Sequence, residues 1–304
     1  MTYKIPRVQA VPIEDSQVSF QVDGVERLRW HAARRYTRPY FYPLLGPSGR
    51  PLTRMGHPAA PDHDHHKSIW FAHYKVAGLD FWGDRNNNRA RQENWVHYQD
   101  GDDEAVLVAD IGWYDGHDAK LMHQQLIAAI RPLPAGETWL ELQTTFTPTG
   151  NSLMLEKTNY AFLAVRVAKS ISNAYGGGEL TNSEGRRSEA DIFGQPADWV
   201  DYSGPVADET IEGITYFSHS SNPHTPNSWH VRNDGWMAAS VCMHKGIELT
   251  KDTPLTLRFA LHAHAGALNA EVAKTHFDDY AATPAYEIVK AQPPYRVHVQ
   301  RRSK

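Results

Sequence analysis

The densest concentration of side chains capable of chemistry is the run Gly56-His57-Pro58-Ala59-Ala60-Pro61-Asp62-His63-Asp64-His65-His66-Lys67-Ser68-Ile69-Trp70-Phe71-Ala72-His73. Imidazoles move protons near neutral pH and are the commonest transition-metal ligands, and neighbouring carboxylates tune both roles. If the run is extended from His63 onward, strand alternation puts His63, His65 and His73 on one face, with His66 on the other or at a bend. That makes His63, His65 and His73 the candidate ligands for a divalent metal, although their spacing matches no known zinc signature. The plainer reading is a polar loop whose histidines bond to one another and to water.

Two further constellations carry carboxylates, tryptophans and an arginine. The first is Gly176-Gly177-Gly178-Glu179-Leu180-Thr181-Asn182-Ser183-Glu184-Gly185, followed by Glu189 and by Ala197-Asp198-Trp199-Val200-Asp201-Tyr202-Ser203-Gly204. Glycines let backbone approach a ligand closely, and Glu184 and Glu189 are suited to general-base work or to gripping sugar hydroxyls. No Lys-Ser/Thr helix start follows the glycines, which excludes a phosphate-binding P-loop. The second constellation runs from Ser221-Asn222-Pro223 to Trp229-His230-Val231-Arg232, where alternation puts His230 and Arg232 on one strand face. An arginine beside a histidine can hold a carboxylate or polarise a carbonyl.

The elements that must position these residues are strands. Val18 to Val22 alternates, Asp23-Gly24 forms a turn pair, and Val25 to Trp30 completes a hairpin. The same period of two recurs at Ala105 to Ile111, Thr138 to Phe146 and Leu255 to Leu261, separated by turn-forming Asp, Gly, Pro and Asn clusters. Helical periodicity is confined to Asn269 to Tyr280, with Asn269 as N-cap. Three stretches, Thr37 to Lys67, Tyr175 to Gly204 and Phe217 to Asn227, show neither period and read as long functional loops. The expected architecture is all-β, a large antiparallel β-sandwich with one short C-terminal helix.

Composition narrows the function classes. The chain has 304 residues, a hydrophobic fraction of 41% and no linker-like tract, so residues 1–304 are expected to form a single domain. A net charge of −4 with scattered arginines argues against nucleic acid as a partner. No apolar stretch approaches the ~18 to 20 residues a spanning helix needs, so a membrane location is not expected. The lone Cys242 and an N-terminus without an apolar run point to the cytoplasm. Seventeen histidines and nine tryptophans remain to be explained. Flat indole faces stack on the C–H faces of sugar rings.

The Asp-His-x-His-His-Lys-Ser-Ile-Trp-Phe-Ala-His run ending in Gly78-Leu79-Asp80-Phe81-Trp82, together with Asn182-Ser183-Glu184-Gly185, Ala197 to Gly204, Ser221-Asn222-Pro223 and Trp229-His230-Val231-Arg232, resembles the bacterial DUF6807 or PmoA-like family across roughly Pro39 to Gly266. The second label refers to a membrane-embedded methane monooxygenase subunit, and this chain has no spanning segment, so methane oxidation is set aside. The resemblance implies a sandwich similar to those of the aldose-1-epimerase type and a link to sugar catabolism. In such sandwiches a histidine protonates the ring oxygen and a carboxylate removes a hydroxyl proton.

Residues and resemblance together predict an enzyme acting on a small-molecule carbohydrate, either a sugar or a 3-keto glycoside, by epimerisation, elimination or hydrolysis. His66 and Glu184 are the expected acid–base pair, with His73 and His230 steering the substrate. His63, His65, Trp70, Trp82, Glu189, Trp199, Asp201, Tyr202, Asn222 and Arg232 are the expected binding residues. No cofactor is required by this reading, and the alternatives are a non-catalytic sugar-binding protein and a metal-dependent sugar oxidoreductase.

Overall fold

The computed structural model describes residues 4–57, 63–84, 86–293 and 295–303. Two eight-stranded antiparallel sheets face each other. The first runs in the order β1 (Val8–Ile13), β2 (Gln17–Val22), β3 (Val25–His31), β4 (Tyr40–Leu44), β5 (Ile69–His73), β11 (Ala161–Arg166), β16 (Trp236–Ala239) and β15 (Trp229–Arg232). The second runs β12 (Glu179–Asn182), β13 (Trp199–Ala207), β14 (Thr210–Ser218), β18 (Leu255–Ala265), β9 (Thr138–Pro148), β8 (Lys120–Pro132), β7 (Ala105–Tyr114) and β6 (Arg89–Gln99). Two small hairpins, β10 (Ser152–Leu155) with β17 (Ile247–Thr250) and β19 (Tyr286–Lys290) with β20 (Val297–Arg301), complete the strands. Among the described residues there are two α-helices, α1 (Ser188–Ile192) and α2 (Ala270–Ala282).

Local chemistry explains the elements. Asp23 and Gly24 both adopt positive φ, 50° and 78°, which gives the tight β2–β3 hairpin its right-handed twist. Asn269 caps α2 by accepting from the backbone N–H groups of Glu271 and Val272. Alternation then sorts the side chains. On β5, Ile69 and Phe71 enter the core between the sheets, while Trp70 and Ala72 join a separate aromatic cluster on the outer face. Phe71 meets Phe259 across the core with ring centroids 6.4 Å apart, and Tyr216 of the second sheet donates its hydroxyl to the Leu163 carbonyl of the first.

The outer face of the second sheet is covered. Helix α2 lays Ala273 and Tyr280 over Trp139, Trp199, Phe217 and Ala260, and the β19–β20 hairpin lays Tyr286 and Val299 over Val106, Val108, Ile127 and Ala129. Glu141, almost fully buried there, is satisfied by Arg258 at 3.1 Å and Arg301 at 2.7 Å. The first sheet instead opens a cleft on its outer face, over β5, β11, β16 and β15.

The expected hairpins, long strands and C-terminal helix are present. The stretches read as loops hold more structure than their composition suggested, since β4, β12, the short α1 and most of β13 lie inside Thr37 to Lys67 and Tyr175 to Gly204. β4 and β13 are mostly buried and carry register shifts, so they show no clean alternation, and β12 does alternate but is only four residues long. Among the described residues, no helix is long and apolar enough to cross a membrane.

Candidate functional site

A cavity of about 780 Å³ lies on the outer face of the first sheet, within the usual range for small-molecule sites. Its lining comes from the 63–66 turn, from the segment joining β5 to β6, and from the outward residues of β11, β15 and β16. Three indoles form the floor: Trp82 and Trp236 lie 4.9 Å apart, and Trp70 sits 5.6 Å and 5.7 Å from them. Tyr160 adds a fourth ring, 5.2 Å from Trp82.

The histidine run is a turn here, closed by the His66 N–H donating to the His63 carbonyl at 3.0 Å. The turn, rather than an extended strand, brings His63, His65 and His66 into one cluster, with centroids 4.4 to 5.5 Å apart, His63 and His65 stacked and His66 edge-on to both, and His57 joins it 5.3 Å from His63. His73 is not with them. As an inward residue of β5 it is fully buried against Phe162, with Nδ1 3.4 Å from the Tyr160 carbonyl and Nε2 unpartnered among the described residues. The parity that grouped His73 with His63 and His65 therefore fails, because the chain turns before the strand begins. Among the described residues no group of three or more His, Cys, Asp or Glu is arranged to hold a metal ion. Asp62 lies outside the described residues.

Buried cations and carboxylates brace this turn. Arg38, 3% exposed, donates to the His65 carbonyl, the Gly83 carbonyl and Asp84, tying the histidine turn to the Trp82 segment. Asp80 fixes Trp82 by accepting from the Trp82 and Gly83 N–H groups at 2.6 and 3.0 Å. On the opposite wall, Asp234 takes Arg166 Nη1 on one oxygen and His57 Nε2 on the other, each at 2.7 Å.

His66 and His230 are the cavity imidazoles with the clearest electrostatic signature. Burial, reinforced by His65 and then Arg166, drives the His66 pKa far below the ordinary imidazole value. Burial and Arg232 push His230 down to about 4. Both are neutral at pH 7. His230 Nδ1 lies 3.1 Å from the Asn159 carbonyl, which only an N–H can satisfy, so Nε2 carries the lone pair.

The remaining expected residues divide by location. Trp82, His63, His65, His66, His230 and Arg232 line the cavity, and Trp70 supports its floor. Glu189 sits behind the wall: its two oxygens accept from Arg232 Nη1 and the Asn233 N–H, both at 2.9 Å. Tyr202 acts at the same strand, donating its hydroxyl to the Arg232 carbonyl. Glu184 is exposed on the turn after β12, where Asp198 and not the cavity is its neighbour. Trp199 packs under α2, Asp201 pairs with His264 at 2.9 Å on the second sheet, and Asn222 is buried against Ser218 and Arg258. The triple glycine also has a packing cause, since a Cβ at Gly176 or Gly178 would fall 1.8 Å from a backbone carbonyl of Ser170 or Ile171.

Sequence reasoning passed over Arg166, Asp234, Trp236 and Tyr160. Two of them left a trace: Arg166 is a lone charge ending an apolar strand, and Asp234 belongs to the Asn233-Asp234-Gly235 turn that closes the β15–β16 hairpin.

Fold and site thus define an all-β sandwich with a histidine- and tryptophan-lined cleft on one outer sheet face. The family model DUF6807, described as a family of unknown function, matches residues 17–278, and the chain belongs to that family. Among solved structures, the chain is similar to a candidate aldose 1-epimerase from Escherichia coli K12, at 14% identity and a TM-score of 0.34, over 80% of this chain and 97% of that one. No curated protein matches.

Proposed function

We propose that the cleft binds a carbohydrate and performs proton transfer on it, with His230 as general base and His66 as its partner in the same cavity. The carrying observation is that both imidazoles, neutral at pH 7, line one cavity and each packs 5.2 Å from the same indole, Trp236. A neutral imidazole can accept a proton through its lone pair or donate a hydrogen bond to a developing oxyanion, and the cavity's indoles suit a sugar ring. Epimerisation and elimination next to a carbonyl need that pairing. Hydrolysis by two free carboxylates fits less well, because of the four carboxylates lining the cavity three, Asp80, Asp84 and Asp234, are committed to backbone N–H groups, Arg38, or Arg166 and His57, which leaves Asp64 alone.

This reading takes residues 1–304 as one domain, because a continuous core joins the two sheets. It also places the protein in a reducing cytoplasm, which suits a sole cysteine that is buried and unpaired. The test is to incubate the protein with free sugars and 3-keto glycosides in D₂O and follow deuterium incorporation and product by NMR. Exchange or turnover that vanishes in His230→Gln supports the reading. Tight sugar binding with neither exchange nor turnover on any of them would reduce the protein to a binding module.

A further inference from the structure

One buried cation is only partly used by the protein. Arg166 is 1% exposed and lines the cavity, yet only Nη1 has a partner, the Asp234 carboxylate. Its Nε and Nη2 are sealed from water and have no hydrogen-bond partner among the described residues. Leaving a buried charged donor unsatisfied is costly, so such a group signals something that completes it. Nε–H and Nη2–H point in parallel from one edge of the guanidinium, the edge that grips both oxygens of a carboxylate at once.

The local charge balance favours an anion over a neutral oxygen. Arg54 donates to the Val167 and Asp234 backbone carbonyls, and Asp234 is the one carboxylate ion-paired to Arg166 among the described residues; of the other cavity carboxylates, Asp64, Asp80 and Asp84, none pairs with either arginine. Burial and the nearby Arg166 charge push Arg54 down to about 10, and Arg166 also disfavours protonation of His57 and His66. Arg232, by contrast, is already paired with Glu189.

We infer that the substrate of this cleft is a sugar acid whose carboxylate docks side-on against Nε and Nη2 of Arg166, with the ring lying over Trp82 and Trp236 towards His230. The inference rests on the carbohydrate reading above and narrows it. Because both nitrogens are sealed, uptake of the carboxylate requires a side chain of the cleft wall to move aside.

Calorimetry on the full chain tests it with D-glucuronate and D-galacturonate, the neutral D-glucose and D-galactose, and the non-sugar dicarboxylate glutarate. The expected result is at least tenfold tighter binding of a uronate than of its neutral parent, with that preference lost in Arg166→Lys, which keeps the charge and loses the fork. Equal binding of acid and neutral sugar overturns the carboxylate inference and leaves the sugar reading standing. Glutarate binding as tightly as the uronates, with no neutral sugar bound, overturns the sugar reading and leaves the anion site standing. Binding of none of the five overturns both. Should Arg166→Lys fail to fold, the wild-type comparison of acid with neutral sugar decides the matter.

Discussion

His66 and His230 share one indole neighbour, each with its ring centroid 5.2 Å from that of Trp236. General acid–base groups typically contribute about 10² to 10⁴-fold, so His66→Ala and His230→Gln should each lower turnover by that order. The double variant should lose much less than the product, as groups acting together do. Glu184→Gln, exposed on its turn, should leave turnover within about twofold. Steady-state kinetics on the sugar that shows exchange in D₂O checks all four proteins, and a large loss in Glu184→Gln alone would move the base to that turn.

The tryptophans should separate binding from stability. Trp82→Ala removes part of the cavity floor and is expected to weaken sugar binding by about 1 to 3 kcal/mol, with a loss of folding stability besides because the indole is buried against Trp70 and Trp236. Trp199→Ala, which empties the packing under α2, should cost about 3 to 5 kcal/mol of folding stability and leave affinity unchanged. Calorimetry and urea melts on both variants read the two effects.

Acid should destabilise the fold through its buried neutral histidines. Burial leads the causes that push His73, His219, His230 and His262 down to about 4. In the unfolded chain these groups protonate near pH ~6.5, so between ~6.5 and ~4 the unfolded state binds more protons and stability falls as the pH drops. Each contributes a slope of at most about 1.4 kcal/mol per pH unit. His264 acts the other way: against the burial that would lower it, Asp201 holds its pKa above the ordinary value, so its contribution is complete below ~6.5 and fades as the pH rises past the raised value. Urea melts at pH 7.5, 6 and 5 should show a steady loss, and a flat profile would contradict the burial of these rings.

Chelation should leave the fold intact. The core between two eight-stranded sheets is large and apolar, and its stability does not depend on an ion as a zinc finger's does. Thermal melts with and without EDTA are expected to coincide, and a collapse would reveal a structural ion at the histidine turn.

Much of the scaffold was legible in the sequence because period-two alternation and turn pairs act locally. Asp23-Gly24, the Thr138 strand and the Asn269 cap all read directly. The site was legible in part. His63, His65, His66, Trp82, His230 and Arg232 stood out by density and type, and they do share one cavity. What escaped was long-range: which loops converge, that Arg38 ties the histidine turn to the Trp82 segment, and that Asp234 bridges Arg166 and His57. The grouping of His73 with the cluster failed for a local reason, a single turn that reset the strand parity before Ile69.

That reset has a consequence for how the cleft can change over evolutionary time. Along β5 the core row, Ile69 and Phe71, and the cleft row, Trp70 and Ala72, interleave one residue apart. Point substitutions at Trp70 or in the turn can therefore retune ligand choice while the interior stays packed. A single-residue deletion between His66 and Ile69 would do the opposite, exchanging the two rows and turning the indole inward and the phenylalanine out. In this lineage new specificities should arise by replacement within a fixed reading of the strand, and length variation should gather in loops away from the 66–70 hinge.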